Sequence, residues 1–314
     1  MCTIKNLLLF FFTATLLTGC GKLTYRKTPG GLPYLIYKGK GTEKISAGNI
    51  VKMNMSIKVK DKFYYNSFQK MAVYMKVSQE SIPYDISEIW TKVGVGDSII
   101  ATQMMDTIIK NSPPNSLPPY FIKGGRIIIK VKVLDVFASD SAAEADKIQS
   151  EKEWSVTEVE NIKKYLAAKN ISAQKTPSGA FVQIINRGTG NLIDSGKYVS
   201  VNYTGTTFSG KKIDSNTDSA FRHFGPSSFT VNAGQMINGF DEAMRLMKPG
   251  CTARVYVPSM QAYGGKPDPQ SGIPPYESLI YDITIVDVKD KAPDEMPAEL
   301  LKKKRKLDAT QSQK

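Results

Sequence analysis

The sequence predicts an α+β protein in which one unit occurs twice. Each copy is an antiparallel β-sheet curled around one short helix, and a helical linker joins them. Three observations predict this. First, Val199-Ser-Val-Asn-Tyr203-Thr-Gly-Thr-Thr-Phe-Ser-Gly-Lys-Lys-Ile213-Asp214-Ser is matched, 148 residues earlier, by Val51-Lys-Met-Asn-Met55-Ser-Ile-Lys-Val-Lys-Asp-Lys-Phe-Tyr-Tyr65-Asn66-Ser. Second, large apolar residues recur at i, i+3, i+4 and i+7 in both copies, as Ile86, Ile89, Trp90 and Val93 and as Phe240, Ala243, Met244 and Met247. That spacing marks one face of a short helix lying on a core. Third, each copy closes with an alternating strand, carrying Ile127, Ile129, Val131 and Val133 or Leu279, Tyr281, Ile283 and Ile285 on one face.

In chain order the first element is an address. Lys5 precedes a largely apolar run of 11 residues from Leu7 to Leu17, too short to span a bilayer but the length of a signal-peptide core. Leu17-Thr18-Gly19-Cys20 follows and resembles the bacterial lipobox, in which cleavage precedes a Cys that is then lipidated. Residues 1–19 are therefore expected to be a lipoprotein signal peptide, Cys20 the lipidation site and 20–33 a tether. Acyl chains anchor without spanning, so the expected location is the bacterial cell envelope, on the outer membrane and facing the periplasm. The first repeat is assigned to 34–138 and the second to 177–290. Each contains a proline turn, Leu117-Pro118-Pro119-Tyr120 or Ile273-Pro274-Pro275-Tyr276. Between them, 139–176 is read as a helical linker. Ser155-Val-Thr-Glu158 has capping-box form, with Val159, Ile162 and Leu166 following at helical spacing. Residues 291–314, with Lys302-Lys303-Lys304-Arg305-Lys306, are read as a basic, solvated tail.

Composition narrows the chemistry. The chain has 314 residues, 42 Lys+Arg against 29 Asp+Glu, three Cys and one His. Cys2, Cys20 and Cys251 are too few and too scattered for a disulfide scaffold, and Cys251 reads as a small buried hydrophobe. With His223 as the only imidazole and no Cys pair at ligand spacing, neither a metal site nor any cofactor is expected. His223 itself reads as a surface residue in an inserted loop. Despite the net charge of +13, nucleic acid is not an expected partner outside the cytoplasm.

The second copy carries an ordered series of motifs: Val201-Asn-Tyr203-Thr-Gly205, Ile213-Asp214-Ser215, Met236-Ile237-Asn-Gly239-Phe240-Asp-Glu242, Ala262-Tyr263-Gly264, Ile273-Pro274-Pro275 and Leu279-Ile-Tyr281-Asp282. In this order they resemble the FKBP family of peptidyl-prolyl isomerases, over about 90 residues from Val199 to Val288. The resemblance implies two FKBP-like domains and an aromatic pocket between sheet and helix in the second. Tyr203, Asp214, Phe240 and Tyr263 would be its catalytic residues. Phe229, Met236, Ile237, Ile273 and Tyr281 would bind substrate, and Phe240 stands where the family usually has a Trp forming the floor. Tyr263 and the Ile237 amide would hydrogen-bond the substrate backbone. Ile213 and Ser227 replace family Phe residues, which implies a smaller pocket and weak macrolide binding. Gly205, Gly239 and Gly264 are read as turn requirements. In the first copy Met55 stands for Tyr203, Asn66 for Asp214, Ile86 for Phe240 and Ile109 for Tyr263, so that copy is expected to be catalytically silent.

Such residues suit this chemistry. Rotation about an X–Pro bond meets a barrier of ~18–20 kcal/mol because twisting destroys amide resonance. The twisted amide has a less polar carbonyl and tolerates removal from water better than the planar one. An apolar aromatic pocket therefore favours the transition state over the ground state. No nucleophile or proton relay is needed. The uncatalysed step takes ~10–100 s, slow enough to limit folding of exported proteins, so the expected partners are proline-containing unfolded or exported polypeptides, with the membrane contacted through Cys20.

Overall fold

The computed structural model describes residues 25–113, 116–117, 120–221 and 223–293. Cys20, residues 1–19 read as a signal peptide, and the Lys302–Lys306 run lie outside them. The chain divides into two compact units, one of residues up to 66 and 74–138, the other of 67–73 and 139 onward.

The first unit contains strands β1 (Arg26–Lys27), β2 (Pro33–Tyr37), β3 (Ile50–Val59), β4 (Lys62–Asn66), β5 (Val73–Lys76) and β6 (Ser98–Met104), helix α1 (Met105–Asn111) and strand β7 (Arg126–Phe137). The sheet runs β1-β2-β6-β7-β3-β4, with β5 also on β3. Ile127, Ile129, Val131 and Val133 are all buried, as the alternation of β7 requires. Ile89 and Trp90 cover them from a seven-residue 3₁₀ helix, Ile86–Lys92, rather than an α-helix. Asp85 caps it by accepting from the Ser87 amide at 2.8 Å.

The second unit begins with α2 (Asp140–Ala168) and continues through β8 (Gln174–Lys175), β9 (Phe181–Asn186), β10 (Tyr198–Thr207), β11 (Lys212–Ser215), β12 (Ser227–Thr230), α3 (Asn238–Met244), β13 (Thr252–Val257) and β14 (Leu279–Lys289). Its sheet runs β11-β10-β14-β13-β9-β8, with β12 on β10. Strand for strand this is the order of the first unit. Even the irregularities coincide. The long central pair breaks register between Lys52 and Met53 and between Ser200 and Val201, and the hairpin does so after Ile57 and after Gly205. The register also corrects one equivalence. Gly205 faces Asp214 whereas Ile57 faces Tyr65, so Tyr65 rather than Asn66 occupies the position of Asp214. The first hairpin is one residue shorter, which a fixed offset along the sequence conceals.

The capping-box reading of Ser155–Glu158 is overturned. The helix starts at Asp140, where Ser139 accepts from the Ala142 amide at 3.3 Å, and Ser155 lies mid-helix with its hydroxyl donating to the Lys152 carbonyl at 2.7 Å. Glu158 is buried instead. Ile162 and Leu166 pack against Phe181 and Tyr256 on the outer face of the second sheet, with Tyr165 edge-on to Phe208 at 4.9 Å.

Candidate active site

On the inner face of the second sheet, four aromatic rings converge. Phe240, on the first turn of α3, is fully buried and sits edge-to-face against Tyr281 at 5.2 Å and Tyr203 at 5.7 Å. Phe229 on β12 lies 6.0 Å from Phe240. Ring pairs at this range and tilt gain quadrupole attraction beyond the area they bury. Ile273 is buried in the same cluster, and Met236 and Ile237 pack on it half-buried. Tyr263, reached through the 3₁₀ turn Ser259–Gln261, is 39% exposed and forms the rim. The structure thus brings together the nine candidate residues of this domain. Ile237 precedes α3, and its carbonyl accepts from Phe240 and Asp241 while no described group accepts from its amide.

The polar pair sits on adjacent strands. Tyr203 on β10 donates its hydroxyl to Asp214 Oδ2 on β11 at 2.7 Å. Burial, and then the Asp214 carboxylate that accepts this bond, push the Tyr203 phenol well above its usual range. Burial and then the neighbouring Tyr263 do the same for Tyr281. Both hydroxyls therefore remain neutral donors near neutral pH. The arrangement can orient and desolvate an amide, with the Asp214 carboxylate engaged in holding the Tyr203 hydroxyl.

Two glycines are present for a different reason than turn geometry. Gly205 is mid-strand opposite Tyr281, and a Cβ there would lie 2.7 Å from the Tyr281 ring. Gly239 lies in α3, where a Cβ would meet Val257 Cγ1 at 2.5 Å. They let ring and helix approach the sheet. Gly264, with φ of +56°, does need the left-handed region.

Three neighbours of the candidate site escaped sequence reasoning. Asn216, buried, accepts from the Tyr203 amide at 2.7 Å and donates to the Val201 carbonyl at 2.8 Å, pinning the strand that presents Tyr203. His223 is exposed on the loop between β11 and β12, as expected, and it also reaches the polar pair. Its Nε2 lies 2.9 Å from Asp214 Oδ1 and 3.3 Å from the Tyr203 hydroxyl. Glu158 on α2 accepts from Ser259 Oγ at 3.0 Å, from the Met260 amide at 3.4 Å and from Ser278 Oγ. It thereby ties together the two loops that carry Tyr263 and Ile273. Burial raises its carboxyl above the usual range despite these donors. The i, i+3, i+4 pattern shows only the apolar neighbours of Glu158, and nothing in local sequence reports a loop returning to Asp214.

In the first unit the positions of Tyr203, Asp214 and Tyr281 are held by Met55, Tyr65 and Ile129. The phenol–carboxylate pair is absent from those positions.

Comparison with known proteins finds relatives of the second unit. Residues 190–286 match the family model described as FKBP-type peptidyl-prolyl cis-trans isomerase. FK506-binding protein 1 of Debaryomyces hansenii is 33% identical over 113 residues, which cover 36% of this chain and 96% of that relative. The chain belongs to the FKBP-type isomerase family. Among bacterial FKBP relatives, outer membrane protein MIP of Legionella longbeachae is 41% identical over 117 residues, covering 37% of this chain and 47% of that protein. The chain thus spans about half the length of that relative. A solved structure of FkpA from Escherichia coli aligns with 27% identity and a TM-score of 0.37, over 49% of this chain and 70% of that one.

Proposed function

We propose that the second unit catalyses cis–trans rotation of X–Pro bonds in exported polypeptides, with Phe240 as floor, Tyr203, Phe229, Tyr281, Met236, Ile237 and Ile273 as walls, and Tyr263 and the Ile237 amide holding the substrate backbone. The observation that carries this is the buried Tyr203–Phe240–Tyr281 ring cluster with Asp214 locking Tyr203. An apolar surface of fixed shape stabilises the less polar twisted amide, and Asp214 acts by orienting Tyr203 rather than by moving a proton. The first unit, with Met55 and Tyr65 at the positions of the key pair, is catalytically silent. The motif at Cys20 supports lipid anchoring in the cell envelope with the enzyme facing the periplasm.

A protease-free assay of proline-peptide isomerisation tests the assignment. Asp214→Ala removes the acceptor of a charge-assisted hydrogen bond worth ~1.5–3 kcal/mol, so kcat/KM should fall about ten- to hundredfold. Tyr263→Phe should also lower it. Wild-type protein without activity would favour a non-catalytic peptide-binding module, and activity indifferent to both changes would overturn the roles given to Asp214 and Tyr263.

A further inference from the structure

The geometry points to His223 as a positioning residue whose charge state sets how firmly the Asp214–Tyr203 pair is held, making the isomerase more active on the acid side of neutrality. This rests on the reading of the second unit as an isomerase.

His223 lies in the loop between β11 and β12. That loop is closed at its base, where the Gly225 amide donates to the Asn216 carbonyl at 2.9 Å. The closure turns His223 back over the site. Its ring stacks on Tyr203 with centroids 6.4 Å apart and planes 27° from parallel. The two Asp214 oxygens are divided between partners, Oδ2 taking the Tyr203 hydroxyl and Oδ1 the His223 Nε2. Thus the imidazole holds the carboxylate that in turn orients the phenol of the pocket wall.

The side chains are 51% exposed for His223 and 30% for Asp214, so a proton reaches the pair without unfolding. An imidazole is the side chain whose charge ordinarily changes between pH 5 and 8. When protonated it makes a charged hydrogen bond to Asp214, and when neutral a weaker one. The described charged and titratable groups around it are few. Asp214 comes from β11 and Tyr203 from β10. Beyond Tyr203 lie Tyr263 and Tyr281, and burial and close neighbours hold Tyr203 and Tyr281 in their neutral forms. Lys212 and Asp218 pair with each other alongside the loop.

The test is the pH profile of kcat/KM from 5 to 8 on the full chain. Wild-type activity should fall by about two- to fivefold as pH rises, the size of a half-exposed ion pair. His223→Gln should give a flat profile at the wild-type alkaline level, and His223→Arg a flat one near the acid level. Thermal melts check that both variants fold. As His223 is the only histidine, its ring resonances can be followed by NMR without ambiguity, and Asp214→Asn should shift them at fixed pH. Ring resonances unmoved by Asp214→Asn, a wild-type profile without the fall, or a His223→Gln profile that tracks wild type each overturns the inference. A chain inactive at every pH defeats the isomerase reading instead, and the ring resonances still decide whether the pair exists.

Discussion

At the residue scale, the site depends on what is missing as much as on what is present. Gly205 has no side chain because the Tyr281 ring lies where a Cβ would be. Gly205→Ala must displace that ring, and overpacking of this kind costs ~1–3 kcal/mol. The expected outcome is a lower melting temperature together with a reduced isomerisation rate, since the displaced ring is the one proposed to wall the substrate site. Tyr203 and Asp214 were legible in the sequence because their motifs are contiguous on neighbouring strands. His223 was not. Its contact depends on a loop closed by Asn216 and Gly225, and neither residue resembles a ligand motif.

At the element scale, α2 acts as part of the site's scaffold. The helix was readable from Val159, Ile162 and Leu166, but its start was misplaced because Ser155 and Glu158 mimic a cap at a mid-helix position. Capping-box spacing is a local pattern, and tertiary burial of Glu158 overrides it. That burial has a measurable signature. The folded carboxyl binds its proton more tightly than the unfolded one, so its contribution favours folding below the ordinary Glu range. It is lost as pH rises through the folded value. Glu158→Gln should remove this slope, seen as the difference between wild-type and variant melts from pH 4 to 8. Glu158→Ala leaves the Ser259 and Ser278 hydroxyls without their acceptor and should destabilise the chain by ~1–3 kcal/mol. It should also slow isomerisation, because the loops bearing Tyr263 and Ile273 lose their tie.

At the scale of the whole molecule, the duplication was visible in the sequence, but the divergence of its copies was only partly so. Strand and helix positions follow from alternation and apolar spacing, which survive large side-chain change. The hairpin shortening does not show, because Tyr65-Asn66 aligns plausibly in two ways until hydrogen bonds fix the register. A fragment of residues 139–293, which keeps α2, should fold and retain the full chain's isomerase rate. One starting at 169 should melt lower, since Phe181 and Tyr256 lose the cover of Ile162 and Leu166. The coincident strand irregularities also supply a ruler for engineering. Transplanting the phenol–carboxylate couple into the first unit calls for Met55→Tyr with Tyr65→Asp, and a designer counting 148 along the chain would have mutated Asn66, at the position that Ser215 holds in the second unit.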